Sequence, residues 1–177
     1  MKPRFLIILA NVFFVVMLTG CTTPQITEIP ENESHIYINP KQRTTLFRVI
    51  RKYNAKRALY ITPNISPKML ANARQSCVTA SEEEILAILD STIFKDAKNC
   101  LVIGTSGIYI NNDRVGDSPG RWFIPYDEFI NIQVRHYKWY EVSMGGIDFN
   151  TSACSMPDNK IVELLQDIQL CLVNVGT

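Results

Sequence analysis

The sequence is poor in the residues from which catalytic and metal centres are built. It has only two histidines, His35 and His136. No histidine-rich metal site can be assembled from them, and no pair of cysteines has the CxxC spacing of a zinc ribbon or a thioredoxin-type redox site. The nucleophile elbow, the Walker A loop, the HExxH helix and the dinucleotide fingerprint are also missing. Gly104-Thr105-Ser106-Gly107 lacks the lysine and following helix of a phosphate cradle and reads as a turn between strands. Asp90, Asp96, Asp127 and Glu128 fall at presumed strand ends and turns, where acids are commonplace. Catalysis is therefore not expected, and neither a metal nor an organic cofactor is implied. A formal net charge of +1 on 177 residues gives no general case for nucleic-acid binding.

Long apolar runs are also scarce, with one exception at the start of the chain. Lys2 and Arg4 precede an almost continuous apolar stretch from Phe5 to Leu18, broken by Asn11. This stretch is shorter than the roughly 20 residues a transmembrane helix needs, and residues 1–20 read as a secretory signal. Leu18-Thr19-Gly20-Cys21 resembles the lipobox of bacterial lipoproteins. That resemblance implies diacylglyceryl transfer to the Cys21 sulfur, cleavage before Cys21, acylation of the new amino terminus and a lipid anchor in the cell envelope. Thr22 and Thr23, in place of an aspartate after the lipidated cysteine, favour the outer membrane, with the protein facing the periplasm. Without residues 1–20, 157 residues remain, enough for one good core.

Acid is missing from Ser34 to Ser81, which carries nine bases: Lys41, Arg43, Arg48, Arg51, Lys52, Lys56, Arg57, Lys68 and Arg74. From Glu82 onward seven bases face fourteen acids. Two readings follow. The basic segment packs on the acidic remainder of the chain, or it meets anionic lipid headgroups, which attract each nearby base by about 1 kcal/mol. Arg48, Arg51, Lys52 and Lys56 share one face of a presumed helix and are the candidate anionic-surface contacts. Beyond Cys21, the four cysteines Cys77, Cys100, Cys154 and Cys171 suit two disulfides in an exported chain, with three possible pairings. Alternatively Cys171, on the apolar face of a helix, is a buried thiol.

Residues 21–40, with three prolines and no periodicity, read as a flexible tether. Residues 41–80 form a basic helical segment. Within it, a helix over 43–57 is followed by a short extended run from Ala58 and a second helix opened by Ser66-Pro67. Residues 81–177 alternate between short apolar runs and turns. The runs are a strand through Glu84 to Phe94, CLVIG, GIYIN, RWFIP, FINIQVRHY, KWYEVSM and GIDFNTSA. Ile161, Leu164, Leu165, Ile168, Cys171 and Leu172 then form the apolar stripe of a closing helix. The expected fold is α+β: a seven-stranded antiparallel barrel or sandwich closed by a C-terminal helix and preceded by one or two short helices.

From about residue 60 to 173 this layout is similar to bacterial pleckstrin-homology-like (PH-like) domains. The likeness rests on Ile85–Gly107 with its Asp90-Ser91-Thr92-Ile93-Phe94, Lys98-Asn99, Leu101-Val102-Ile103-Gly104 and Gly107-Ile108-Tyr109. It continues in Ile124-Pro125-Tyr126-Asp127-Glu128-Phe129, Ile147-Asp148-Phe149 and Ile161-Val162-Glu163-Leu164-Leu165. Cys100 stands where such domains usually have a small residue. The resemblance implies a fold and brings no defined ligand. Trp122, Tyr137, Trp139 and Tyr140 are candidates for an exposed aromatic patch, although strand alternation turns about half of such residues inward. The functional expectation is a lipid-anchored binding or scaffolding module with an envelope protein partner. The alternative is a peripheral binder of anionic headgroups.

Overall fold

The computed structural model describes residues 37–54, 59–112 and 120–175. Cys21, His35 and Lys56 lie outside the described residues, as do the signal sequence and most of the tether.

Helix α1 spans Pro40–Lys52 and begins earlier than the apolar spacing predicts. The start is set by a capping box. Asn39 Oδ1 accepts the Gln42 N–H at 2.9 Å, and Gln42 Oε1 accepts the Asn39 N–H at 2.9 Å. Pro40 occupies the first turn, where its missing N–H costs nothing. Residues 39 and 40, assigned above to the tether, are therefore the helix start. A two-residue strand β1 (Tyr60–Ile61) leads to helix α2 (Pro67–Ser76), which is capped as expected by Ser66 Oγ on the Met69 N–H.

Seven further strands follow: β2 (Ile85–Asp90), β3 (Cys100–Gly104), β4 (Gly107–Asn112), β5 (Gly120–Pro125), β6 (Val134–Lys138), β7 (Glu141–Met144) and β8 (Ile147–Asn150). A single-turn helix α3 (Tyr126–Phe129) separates β5 from β6, and α4 (Asp158–Val175) closes the chain. All pairings are antiparallel. The described strands form a five-stranded sheet in the order β1-β2-β3-β4-β5 and a three-stranded sheet in the order β6-β7-β8. The fold is α+β with two antiparallel sheets and a C-terminal helix, and these two sheets do not join into one closed barrel.

Two strand expectations need correction. The strand predicted to reach Phe94 ends at Asp90, because the Asp90 carboxylate turns the chain. Its Oδ1 accepts the Thr92 N–H at 2.9 Å and the Thr92 hydroxyl at 2.7 Å. Ile93 and Phe94 are left in solvent, 83% and 88% exposed. The run from Phe129 does not start as a strand either. Pro125 opens α3, the Ile130 N–H bonds the Tyr126 carbonyl, and the strand begins only at Val134.

Burial explains why β2, β3 and β4 read as unbroken apolar runs. Leu101, Ile103, Ile108 and Ile110 face one core, shared with Leu46 and Ile50 of α1, Val142 and Phe149 of the second sheet, and Ile161, Leu165 and Ile168 of α4. Cys100, Val102 and Tyr109 face the other way, into a smaller core with Met69 and Ala73 of α2. A sheet covered on both faces has no polar side to alternate with. α1 thus shares its core with residues of 81–177.

Candidate functional site

The basic face of α1 borders a cleft of about 470 Å³, lined by Arg43, Thr44, Phe47, Arg48, Arg51, Thr62 and Pro63. The i, i+4, i+8 spacing of Arg43, Phe47 and Arg51 stacks them along one side of the helix. The Arg43 Cζ lies 4.9 Å from the Phe47 ring centroid and that of Arg51 5.8 Å, so the ring sits between two guanidinium groups. Arg43 also forks onto Glu84, with Nε 2.9 Å from Oε2 and Nη2 on Oε1. The hydrogen bond to that carboxylate raises the Arg43 pKa further. Arg48 and Arg51 are exposed, and neither has a carboxylate within ion-pair distance among the described residues. Lys52 lies 4.0 Å from Asp167 of α4. Among the described residues the structure therefore brings Arg48 and Arg51 to one cleft and points Lys52 at α4.

The cleft is at the end of the domain where the chain enters. The Ile38 N–H bonds the Thr105 carbonyl in the β3–β4 turn at 3.0 Å, and the Thr62 hydroxyl bonds the Ile85 carbonyl at the start of β2 at 2.6 Å.

The opposite end is aromatic. Five of the eight large apolar residues exposed among the described residues cluster there: Ile93, Phe94, Tyr137, Trp139 (87% exposed) and Tyr140. Their loops are stitched together. Ser91 Oγ bonds the Asn150 carbonyl at 2.6 Å, Lys95 Nζ the Ala153 carbonyl at 2.6 Å, and the Thr151 N–H the Tyr140 carbonyl at 2.7 Å. Lys95, Ala97 and Tyr140, all at this end, have positive φ (53°, 56° and 62°), a conformation costing a non-glycine residue about 1 kcal/mol. Trp122, included in the aromatic expectation, is instead half-buried on β5 and packs against the main core. Sequence reasoning missed Ile93 and Phe94 because it assigned them to a strand. The Asp90-x-Thr92 turn signal was there to find them.

Several other polar groups are held by their neighbours, whereas Asp90 Oδ2, Glu141 Oε2 and Trp122 Nε1 are buried without a hydrogen-bond partner among the described residues. Glu83 is 1% exposed, and its carboxylate accepts the N–H and hydroxyl of both Thr105 and Ser106 and the Tyr109 hydroxyl. The Tyr126 hydroxyl bonds the Gly104 carbonyl at 2.7 Å beside it. His136 is exposed, with Nε2 3.4 Å from Asp158. Asp96 bonds neighbouring loop groups and Lys98, while Asp127 and Glu128 are exposed on α3.

The four cysteines among the described residues, Cys77, Cys100, Cys154 and Cys171, are free thiols. Cys77 and Cys100 are neighbours in the smaller core, with Cys77 Sγ 3.6 Å from the Cys100 carbonyl. Cys154 and Cys171 stand apart from that pair in the larger core. The contact with Cys77, together with burial, pushes the Cys100 thiol well up. Burial pushes Cys154 up to about 12 and raises Cys171. A nucleophilic cysteine needs the opposite shift. No cluster of three or more potential metal ligands occurs among the described residues. No described helix is long and apolar enough to cross a membrane.

Comparison with family models, with curated proteins and with solved structures finds no match.

Proposed function

We propose that the chain is a lipid-anchored lipoprotein of the bacterial envelope, held at Cys21, whose domain is a PH-like module that binds and scaffolds a periplasmic protein without catalysing a reaction. The PH-like reading is supported by the strand order: four consecutive strands β2–β5 in one sheet, three consecutive strands β6–β8 in another, then α4. The binding role rests on the aromatic end. It exposes Ile93, Phe94, Trp139 and Tyr140 at the end remote from Ile38 and the β3–β4 turn. Exposed apolar clusters of this kind mark interaction surfaces, and tryptophan and tyrosine are the residues most enriched at their centres. Beside it, Arg135 and Lys138 lie over the Tyr137 ring, while Lys95 and Lys98 are held by the Ala153 carbonyl and by Asp96.

Two measurements test this. Cells fed labelled palmitate should yield a labelled protein, and Cys21→Ser should carry no label; an unlabelled parent protein, or a labelled Cys21→Ser, overturns the anchor. A photo-crosslinking amino acid at position 94 or 139 should give a discrete protein adduct in intact cells that is absent from exposed position 64. Identical patterns at all three positions overturn the docking role.

The second reading, contact with anionic headgroups through α1, is favoured by the position of the arginine-lined cleft beside the chain entry.

A further inference from the structure

We infer that the cleft between α1 and the Thr62-Pro63 segment is a phosphate-binding site, in which Arg48 and Arg51 grip the phosphate oxygens while Phe47 and Pro63 hold an apolar group attached to them. The inference rests on the second reading above and specifies its ligand and residues.

Three observations carry it. First, the cleft has volume for a small headgroup, about 470 Å³, and three arginines line it. One of them, Arg43, is already neutralised by Glu84, which leaves Arg48 and Arg51 without carboxylate partners among the described residues. Guanidinium groups match the planar, paired oxygens of phosphate better than ammonium groups do. Second, the other polar side chains of the cleft are committed. Thr44 Oγ1 donates to the Pro40 carbonyl at 2.9 Å and Thr62 Oγ1 to the Ile85 carbonyl at 2.6 Å. Their protons are not available to an anion, so recognition falls on the arginines. Third, Phe47 is fixed between two guanidinium groups and presents an apolar wall beside the charge. A bare anion has no use for that wall, whereas a phosphodiester with a glycerol or acyl flank does. The cleft lies at the end of the domain that holds Ile38, so under the lipoprotein reading an anionic phospholipid is the available ligand of this chemistry.

The test uses the purified full-length protein in non-ionic detergent micelles. Binding of short-chain phosphatidylglycerol, short-chain phosphatidylcholine and inorganic phosphate is measured for three proteins: the parent, Arg48→Gln/Arg51→Gln, and Arg121→Gln/Lys160→Gln. The last carries the same charge change on exposed bases outside the cleft. The parent should bind phosphatidylglycerol saturably. The cleft variant should lose at least about tenfold in affinity, corresponding to one charge-assisted hydrogen bond or more. The control should stay within about twofold, its affinity difference below 0.5 kcal/mol by the same conversion. Both variants should unfold at the parent's temperature, since the replaced side chains are exposed. Binding of inorganic phosphate alone, lost in the cleft variant, supports the site and makes free phosphate its ligand. Binding that the two variants weaken equally overturns the cleft and leaves a diffuse contact between basic surface and headgroups. No binding of any probe by the parent overturns the cleft and the headgroup reading together.

Discussion

Five hydrogen bonds converge on the buried Glu83 side chain. Its carboxylate gathers the donors of Thr105, Ser106 and Tyr109, and so ties the segment before β2 to the β3–β4 turn. Glu83→Ala orphans those donors in a buried site and should lower stability by about 3 kcal/mol in urea titration; a loss below about 1 kcal/mol would mean that water replaces the carboxylate. Gly104→Ala should be comparably harmful, because a Cβ there would lie 2.2 Å from Glu83 Oε1. Nothing in the sequence announced this role. Glu83 sits in a run of three acids just before the strand run, and its partners lie more than twenty residues away.

Asp90 contributes a pH dependence of the opposite kind to an ordinary ion pair. Burial raises its pKa, and Oδ2 has no partner. A carboxyl whose folded-state pKa is raised favours the folded state below the ordinary carboxylate range. That contribution is lost as pH rises through the raised value. Asp90→Asn, which cannot ionise, should therefore gain thermal stability relative to the parent as pH rises from about 3 to 7. A difference that stays flat or shrinks over that range removes the ionised carboxylate from the account.

At the scale of elements, α2 was fully legible because its signal is local: a hydroxyl at Ser66, a proline at the first turn and apolar residues at helical spacing. The start of α1 was not. Asn39-Pro40 is as good a start, but it lies in a proline-rich stretch that reads as tether. Its capping box should be worth about 1 kcal/mol, measurable as the cost of Asn39→Ala. The packing of α1 was hidden for another reason. Leu46 and Ile50 are fully buried, and they meet α4 and the first sheet, which pairwise spacing in the sequence cannot foretell. Leu46→Ala should cost about 3 kcal/mol and weaken any binding at the cleft together with stability. A cleft that keeps its affinity as α1 loosens would be incompatible with a site built on that helix. The sheets were legible as strands but not as layers. Period-two alternation fails where both faces are covered, so CLVIG and GIYIN reveal extended backbone and nothing about which side chain faces which core.

At the scale of the whole molecule, the arginine-lined cleft and the exposed aromatic residues lie at opposite ends. The uneven distribution of bases was plain from the sequence, and so was the cluster Tyr137, Trp139, Tyr140. That the arginines border a cleft beside the chain entry, and that Ile93 and Phe94 join the aromatics, required the fold. Phe94→Ser and Trp139→Ser should leave thermal stability nearly unchanged, because both side chains are almost fully exposed. A marked loss of stability in either would reassign it from docking to folding.

The route by which the chain enters has a mechanical consequence. The Ile38 N–H holds the chain to the Thr105 carbonyl, and α1 begins two residues later. Tension applied to the amino terminus would therefore load that bond to the β3–β4 turn first, and the Asn39 cap and α1 only after it gives way. That turn would carry the load, while the aromatic end lies at the far end of the sheet from it.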